Sequence, residues 1–345
     1  MLLSAEHITR SLGERVLLDD VSLYLDRGEK LGVIGANGAG KSSLLKLLAG
    51  VEEPEGGRVR PDPNVRLEYL PQNPAYDPDK SVLEQAMAGL DPTGREAAEH
   101  EVKSLLTRLG VFDFDQKMGA LSGGERRRVA LAGVLTRPSD VLLLDEPTNH
   151  LDAGMTQWLE DYLRRWRGAL VMVTHDRYFL ERVVDRMVEV ERGKLTFYTG
   201  TYADYLARRS ELDEMAQAGE RKRQSILRRE LQWVMQGAKA RGTKSKERLE
   251  RYEALKGQEA PRERGRVALT ALSSRLGRKT IELKSVTKAF EGRTVIRDFS
   301  CILLRDDRVG VIGDNGSGKS TLLNLMAGRL APDAEEVVTG ETVRI

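Results

Sequence analysis

The chain of 345 residues contains a copy of itself, and this repeat restricts its fold more than any other feature. Residues 33–50, VIGANGAGKSSLLKLLAG, recur as residues 311–328, VIGDNGSGKSTLLNLMAG, with thirteen of the eighteen positions identical. The flanking segments, 8–25 and 286–303, agree at the same offset of 278 residues. Chance similarity between two glycine loops would not extend into both flanks, so the sequence predicts two copies of one module.

Each copy contains a glycine-rich loop of the kind that binds phosphate. The first-copy motif, GANGAGKS, fits G-x-x-x-x-G-K-[ST], with a predicted strand before it and a predicted helix after it. Its backbone N–H groups surround phosphate oxygens, the lysine reaches the outer phosphates of a nucleotide, and the serine hydroxyl binds Mg²⁺. The predicted nucleotide contacts are Gly35, Ala36, Asn37, Gly38, Ala39, Gly40, Lys41, Ser42 and Ser43, and in the second copy Gly313, Asp314, Asn315, Gly316, Ser317, Gly318, Lys319, Ser320 and Thr321.

Strands and helices alternate along the first module, which is typical of an α/β fold with a largely parallel sheet. The predicted strands are 6–9, 16–25, Lys30–Ile34, 141–144 and Ala169–Val173, and the predicted helices are Lys41–Leu48, 126–135 and 155–166. From residue 206 to about residue 255 no apolar strand occurs, and Lys, Arg, Glu and Leu dominate. This composition predicts two antiparallel helices joined by a turn near 237–242.

Acidic side chains follow one of the buried strands. Asp145 and Glu146 come directly after the apolar run 141–144, and His175 ends the next apolar strand. Beside a phosphate loop, such an Asp holds Mg²⁺, and the adjacent Glu orients and deprotonates the attacking water. A solvated turn would explain an isolated Asp-Glu pair, but two carboxylates at a buried strand end are costly without a cation or ligand. We therefore predict Glu146 and His175 as catalytic, with His175 contacting a γ-phosphate.

A second anion site is predicted at residues 121–125, LSGGE, because glycines and a serine precede the helix there. Together with YLPQ at 69–72, the segment 141–152 and THD at 174–176, this site resembles the nucleotide-binding domain of the ABC ATPases. In that family, each ATP lies between the phosphate loop of one module and the signature of the opposing module. The resemblance covers nearly the whole chain.

The resemblance implies an ABC-type P-loop NTPase module that binds ATP and Mg²⁺. By this resemblance, Ser122, Gly123 and Gly124 are the signature residues that contact the ATP of the opposing module. Gln72 is the Q-loop residue near Mg²⁺, Asp152 is the D-loop residue and His175 is the switch histidine. The implied Mg²⁺ ligands are Ser42, Gln72, Asp145 and Ser320. Phe290 stands where these proteins stack the adenine, and the aligned first-copy residue is Leu12, an aliphatic side chain in place of the aromatic ring.

A narrower resemblance points to the ABC-F subfamily, whose members fuse two ATPase modules without transmembrane domains. EPTNHLD at 146–152 carries this likeness, and GTYADY at 200–205 is similar to a subfamily stretch that usually has Asn where Thr201 stands. Residues 237–248 resemble the linker of the Uup-like branch, in which a helical hairpin reaches toward P-site tRNA on the ribosome. The implied partners are the ribosome and tRNA, without a membrane.

The charge distribution supports a nucleic-acid partner independently. Residues 221–248 contain ten Lys or Arg against two acids, a net charge of +8, while the whole chain carries +2. A solvated helix pair would usually carry both signs, so this imbalance favours phosphate-backbone contact, which is shape-dependent and salt-sensitive. The predicted contacts are Arg228, Arg229, Trp233, Lys239, Arg241, Lys244, Lys246 and Arg248.

The predicted domains are 1–203, a complete ABC module; 204–278, the helical hairpin linker; and 279–345, the first part of a second module. The sequence contains one LSGGE and one Asp-Glu pair after an apolar strand, and both lie in the first module. We therefore expect a truncated second module, no complete composite site within one chain, and weak ATP hydrolysis unless two chains pair as a homodimer.

Two alternatives to a ribosome-associated ABC-F ATPase stay open: a protein that acts on branched DNA, and the ATPase subunit of an ABC transporter. The longest apolar stretches fall far short of the roughly 20 residues that a membrane helix needs. The N-terminus has charged residues where a signal peptide needs an apolar core, and one cysteine cannot form an internal disulfide. A cytoplasmic protein is therefore expected.

Overall fold

The computed structural model describes residues 1–90, 92–235, 279–290, 292–313, 316–340 and 343. Contacts between residues divide the chain into two compact units. The described residues of the first unit are 1, 3–60 and 170–235, and those of the second are 2, 61–90, 92–169 and the described residues from 279 onward. In the part of the chain described, no helix combines the length and the apolar character needed to cross a membrane.

The first unit contains a three-stranded antiparallel sheet. Its strands are β1 (Leu3–Leu12), β2 (Arg15–Leu25) and β4 (Gly56–Pro61), in the order β2-β1-β4. Val21, Leu23 and Leu25 alternate with more exposed residues along β2, so one face of the hairpin packs against the interior.

Parallel strands form the centre of the first unit. They are β3 (Lys30–Ile34), β7 (Ala169–Val173) and β8 (Arg186–Glu191), with β9 (Lys194–Thr199) antiparallel at the edge. The order is β7-β3-β8-β9, and all five residues of β7 are buried. The helices of this unit are α1 (Lys41–Leu48), α6 (Arg177–Val183) and α7 (Tyr202–Met235). The phosphate loop leaves the carboxyl end of β3, between two parallel neighbours.

In the second unit, the parallel strands β5 (Leu67–Leu70) and β6 (Val141–Asp145) pair with each other. Every residue of β6 is buried, which explains its apolar run. The helices are α2 (Val82–Ala86), α3 (Pro92–Arg108), α4 (Gly123–Thr136) and α5 (Ala153–Arg165), with a short 3₁₀ turn at Met118–Ala120. Because α4 packs against both α2 and α3, the segment that follows LSGG is held by a helical layer.

The second copy of the repeat reproduces the three-stranded sheet and the loop helix of the first. Strands β10 (Lys279–Phe290), β11 (Arg293–Leu304) and β12 (Ala334–Thr339) lie in the order β11-β10-β12, and α8 (Lys319–Met326) follows the second loop. β12 and α8 match β4 and α1 at an offset of 278 residues at both ends. Leu283, Val286, Ile296 and Leu325 form a small core between this sheet and α8. The predicted duplication therefore appears in the fold.

One element of the first copy has no equivalent strand in the second. Residues 308–312 correspond to β3, but they form no strand, and Val309 and Ile312 are exposed. In the first copy, β3 receives its backbone hydrogen bonds from β7 and β8.

Most predicted element bounds are confirmed within a few residues. β1 extends three residues beyond the predicted strand 6–9 at each end, and two helices start earlier than predicted. α4 begins at Gly123, three residues before the prediction, because Ser122 caps it: the Glu125 N–H donates to the Ser122 hydroxyl. α5 begins two residues early because the Met155 N–H donates to the Asp152 carboxylate. The second linker helix and the turn at 237–242 lie outside the described residues. The domain bounds 1–203, 204–278 and 279–345 stay predictions.

Replacing Gly57 by Ala should destabilise the first unit more than the same change at Gly50. Both glycines have positive φ, where an L-residue costs about 1–2 kcal/mol. A Cβ at Gly57 would also overlap the carbonyl oxygens of Glu6 and His7, while one at Gly50 meets open space. We expect a further loss of about 1–3 kcal/mol for Gly57→Ala. Urea unfolding of both variants measures this difference, and equal losses would contradict it.

Candidate nucleotide-binding site

The first glycine loop has a backbone path that only glycine adopts readily. Gly40 is the N-cap residue of α1 and has φ +108°, and the helix starts without a side chain that caps it. Gly35 packs so closely on β8 that a Cβ there would lie 2.5 Å from the carbonyl oxygen of Val190. A glycine at each end therefore shapes the loop, and the helix N-terminus presents N–H groups and positive potential to an anion.

Lys41 lies over this loop. Its Nζ atom donates to the carbonyl oxygens of Gly35 and Ala36 at 2.9 and 3.0 Å, and the side chain is buried. In the second copy, Nζ of Lys319 donates to the carbonyl oxygen of Gly313 at 2.7 Å, and Gly318 begins α8 with φ +94°. Both predicted lysines therefore sit at the start of a helix, above a glycine loop.

The first loop opens onto a cavity of about 800 Å³ within the first unit. Gly35, Ala36 and Lys41 line one side, and His175, at the end of β7, lines another. The structure thus brings two predicted site residues, Lys41 and His175, to one cavity. Tyr202 and Tyr205 of α7 also line it. The beginning of the long helix therefore forms part of the cavity wall, which the sequence did not predict.

The predicted acidic pair lies in the second unit, at the end of β6. Asp145 and Glu146 are buried, and Glu146 has φ +55°, an uncommon conformation for a residue with a side chain. The guanidinium of Arg127 joins them: Nη2 donates to the carbonyl oxygens of Asp145 at 2.6 Å and of Glu146 at 2.7 Å, and Nη1 donates to the carbonyl oxygen of Gln72. One buried side chain therefore links three predicted site residues.

Sequence reasoning missed Arg127. It lies within Arg126-Arg127-Arg128, a run that looks solvent-exposed in the sequence, but its side chain is buried in the structure. Nearly all of α4 after Arg126 is buried, so the helix has no distinct apolar face that could have revealed it. Burial lowers the pKa of the Arg127 guanidinium below its usual value, while the charges of Asp145 and Glu146 act in the opposite direction.

Comparison with known proteins agrees with this architecture. A family model described as ABC transporter matches residues 18–149 and 296–345, more than half of the chain. A second model with the same description matches residues 188–269. The chain belongs to the ABC ATPase family.

Curated relatives are similar over the whole length of the chain. The uncharacterized ABC transporter ATP-binding protein YfmR of Bacillus subtilis is 40% identical, over 100% of this chain and 61% of its own length. The energy-dependent translational throttle protein EttA of Haemophilus influenzae is 39% identical over 96% of this chain and 66% of its own length. EttA of Escherichia coli is 37% identical over 96% of this chain and 67% of its own length. These relatives identify the chain as an ABC-F member. The chain spans about two thirds of the length of these relatives or less. The Uup-like branch stays a prediction.

Solved structures share the ABC fold. An ATP-binding subunit of an ABC transporter superposes with a TM-score of 0.52 at 23% identity, over 58% of this chain and 90% of that one. A dimeric, post-hydrolysis ATP-binding cassette bound to ADP and phosphate gives 0.50 at 22% identity, over 57% and 98%. At these identities the likeness shows the fold, and it confirms the predicted ABC-type P-loop module.

The residues predicted as the ABC signature have local structural roles. Ser122 and Glu125 form a capping box: the Ser122 N–H donates to the Glu125 carboxylate at 2.8 Å, and the Glu125 N–H donates to the Ser122 hydroxyl. Burial alone would raise the pKa of Glu125, but its hydrogen bonds with Ser122 lower it below the ordinary value. Gly123 has open space where a Cβ would lie. Asp152, predicted as a nucleotide contact, caps α5.

The remaining predicted residues are placed as follows. Ser42 and Ser43 lie in the first turn of α1, and Ser320 and Thr321 in the first turn of α8. Arg228 is exposed on α7, whose backbone also carries Arg229 and Trp233. Outside the described residues lie Asp314, Asn315, Lys239, Arg241, Lys244, Lys246 and Arg248. Leu12 is exposed and does not line the cavity.

Arg127→Met should lower the free energy of unfolding by about 3 kcal/mol. The methionine keeps much of the volume but leaves three carbonyl oxygens without their buried donor. Arg165→Met is the matched control, because Arg165 is exposed on α5, and its effect should stay within about 0.5 kcal/mol. Urea unfolding tests both variants. Equal stability would mean that Arg127 does not hold these segments together.

Proposed function

We propose that this chain is the ATP-binding portion of an ABC-F ATPase that engages the ribosome and tRNA through its basic segment, residues 221–248. The observation that carries the ATP site is the uncapped, glycine-started helix α1, with Lys41 folded over its loop. Helices α2, α4, α5 and α6 differ from α1, because the side chain of each N-cap residue accepts a hydrogen bond from the first turn. These N-cap residues are Ser81, Ser122, Asp152 and Asp176. The start of α1 is thus left for an external anion.

The residues proposed for Mg²⁺ suit that metal in kind. Mg²⁺ prefers oxygen ligands and is usually held by one or two carboxylates together with substrate phosphates. Ser42, Gln72 and Asp145 offer a hydroxyl, an amide and a carboxylate oxygen. Bound Mg²⁺ would neutralise charge on the outer phosphates.

For hydrolysis, we propose Glu146 as the base that orients and deprotonates the attacking water, and His175 as a γ-phosphate contact. Family resemblance supports opposing ATP contacts from Ser122, Gly123 and Gly124. We propose that two copies of this chain pair Lys41 of one with Ser122 of the other. Turnover would then rise with the square of protein concentration when the chains are dilute.

The translational role rests on two supports. Two of the relatives described above are named translational throttle proteins, and α7 carries the beginning of the basic segment, with Arg221, Lys222 and Arg228 exposed. A strongly basic helix binds phosphate backbones largely through charge. We propose that ATP binding and hydrolysis move this segment between ribosome-engaged and free positions. Branched DNA is the competing substrate that the test must separate.

The proposed partner is tested by co-sedimentation of the chain with ribosomes at increasing KCl. Replacing Lys239, Arg241 and Lys244 together by Glu should weaken ribosome binding at least about tenfold and reduce its salt dependence, because fewer counterions are released. The control is the double variant Arg164→Glu with Arg165→Glu, which reverses two exposed charges on α5, outside the basic segment. ATP affinity should be equal in the wild-type chain, the triple variant and this control.

Competition decides between the partners. Ribosomes or tRNA should displace the chain from a labelled branched DNA, while excess branched DNA should leave ribosome binding intact. The opposite result would overturn the translational proposal. Co-fractionation with membranes in place of ribosomes would favour the transporter alternative.

A further inference from the structure

Glu189 is a buried carboxylate on β8, at the wall of the nucleotide cavity. It accepts hydrogen bonds from the hydroxyls of Tyr198 at 3.2 Å and Tyr205 at 3.3 Å, and from Nη1 of Arg209 at 2.9 Å. A carboxylate buried to this extent needs such donors to offset its lost hydration. Two of these three donors belong to α7, so the charge of Glu189 ties that helix to β8.

Arg209 is the centre of this contact. Besides Glu189, it binds Glu191, with Nη2 2.8 Å from the carboxylate, and its Nε lies 3.6 Å from Asp213 on the next turn. Burial alone would lower the pKa of the Arg209 guanidinium, but the hydrogen bond with Tyr198 and the charges of Glu189 and Glu191 raise it above its ordinary value. We call Glu189, Glu191, Tyr198, Tyr205 and Arg209 the Arg209 cluster.

The same strand contacts the phosphate loop. Val190 lies between the two glutamates, and its carbonyl oxygen is packed against Gly35, the first loop glycine. Glu189, Glu191 and Tyr205 line the cavity that Lys41 enters. β8 therefore contacts both elements: its backbone packs against the glycine loop, and the side chains of Glu189 and Glu191 bind α7.

α7 is a single helix of 34 residues that continues from this cluster into the basic segment. At 1.5 Å per residue it is about 50 Å long. A small tilt at its first turns therefore produces a displacement of several ångströms at its far end. This geometry makes the Arg209 cluster the place where the state of the cavity can alter the position of the basic residues.

We propose that Arg209 is a positioning residue that couples nucleotide occupancy of the loop to the first turns of α7 through Glu189 and Glu191. A ligand shifts a conformational equilibrium only if it interacts differently with the two states. Nucleotide phosphates would provide this difference, because they add negative charge beside two carboxylates and press on a loop that contacts Val190. The inference rests on the proposed ATP binding and specifies how it would reach the linker.

Amide hydrogen exchange of residues 202–215 in the full chain, with and without ATP and Mg²⁺, tests the coupling. In the wild-type chain, ATP should slow amide exchange in this segment about fivefold or more, which lies at the low end of the usual range of allosteric coupling. Arg209→Gln should abolish this change, and Arg209→Lys, which keeps the charge, should restore part of it. Arg208→Gln is the matched control, since Arg208 is exposed one residue away, and it should behave as wild type.

Two further measurements keep the test decisive. Glu191→Gln removes one partner and leaves buried Glu189 paired, so it should reduce the ATP-dependent change even if Arg209→Gln fails to fold. ATP affinity is measured for each protein by titration. ATP binding without altered exchange at 202–215, or an equal response in Arg209→Gln and Arg208→Gln, would overturn the inference alone. No ATP binding by the wild-type chain would overturn the proposed function together with it.

Discussion

A helix that begins at a glycine is the constraint on which the nucleotide site depends. Gly40 starts α1 without a capping side chain, and Gly35 allows the same loop to rest directly on the backbone of β8. Side chains at these two positions would push the loop away from its strand. The close approach brings Lys41 over the loop and opens the cavity toward His175 and the start of α7. The close packing of the loop therefore depends on two residues that lack a Cβ.

Local motifs predicted this part of the molecule well, because their backbone requirements are local. The strand Lys30–Ile34, the helix Lys41–Leu48 and the strand Ala169–Val173 have the bounds that the sequence pattern indicates. Ser122 and Asp152 are predicted as nucleotide contacts, and in the structure each caps a helix; the nucleotide contacts stay predictions. Those caps explain why the two helices begin earlier than apolar periodicity alone predicts.

Arg127 and Arg209 could not be predicted in the same way. Each is a charged residue in a charged run, and its role depends on partners more than fifteen residues away in sequence: Gln72, Asp145 and Glu146 for one, Glu189 and Glu191 for the other. Burial of a guanidinium is decided by tertiary packing.

ATP binding by the glycine loops is tested most directly by a titration with fluorescent ATP. Lys41→Ala should weaken binding at the first loop about tenfold or more, because charge-assisted hydrogen bonds to phosphate are lost, and adding Lys319→Ala should remove the remaining binding. Lys46→Gln, on the same helix but half exposed, should bind as the wild-type chain does. Wild-type affinity in the variant with both Lys41→Ala and Lys319→Ala would contradict the account.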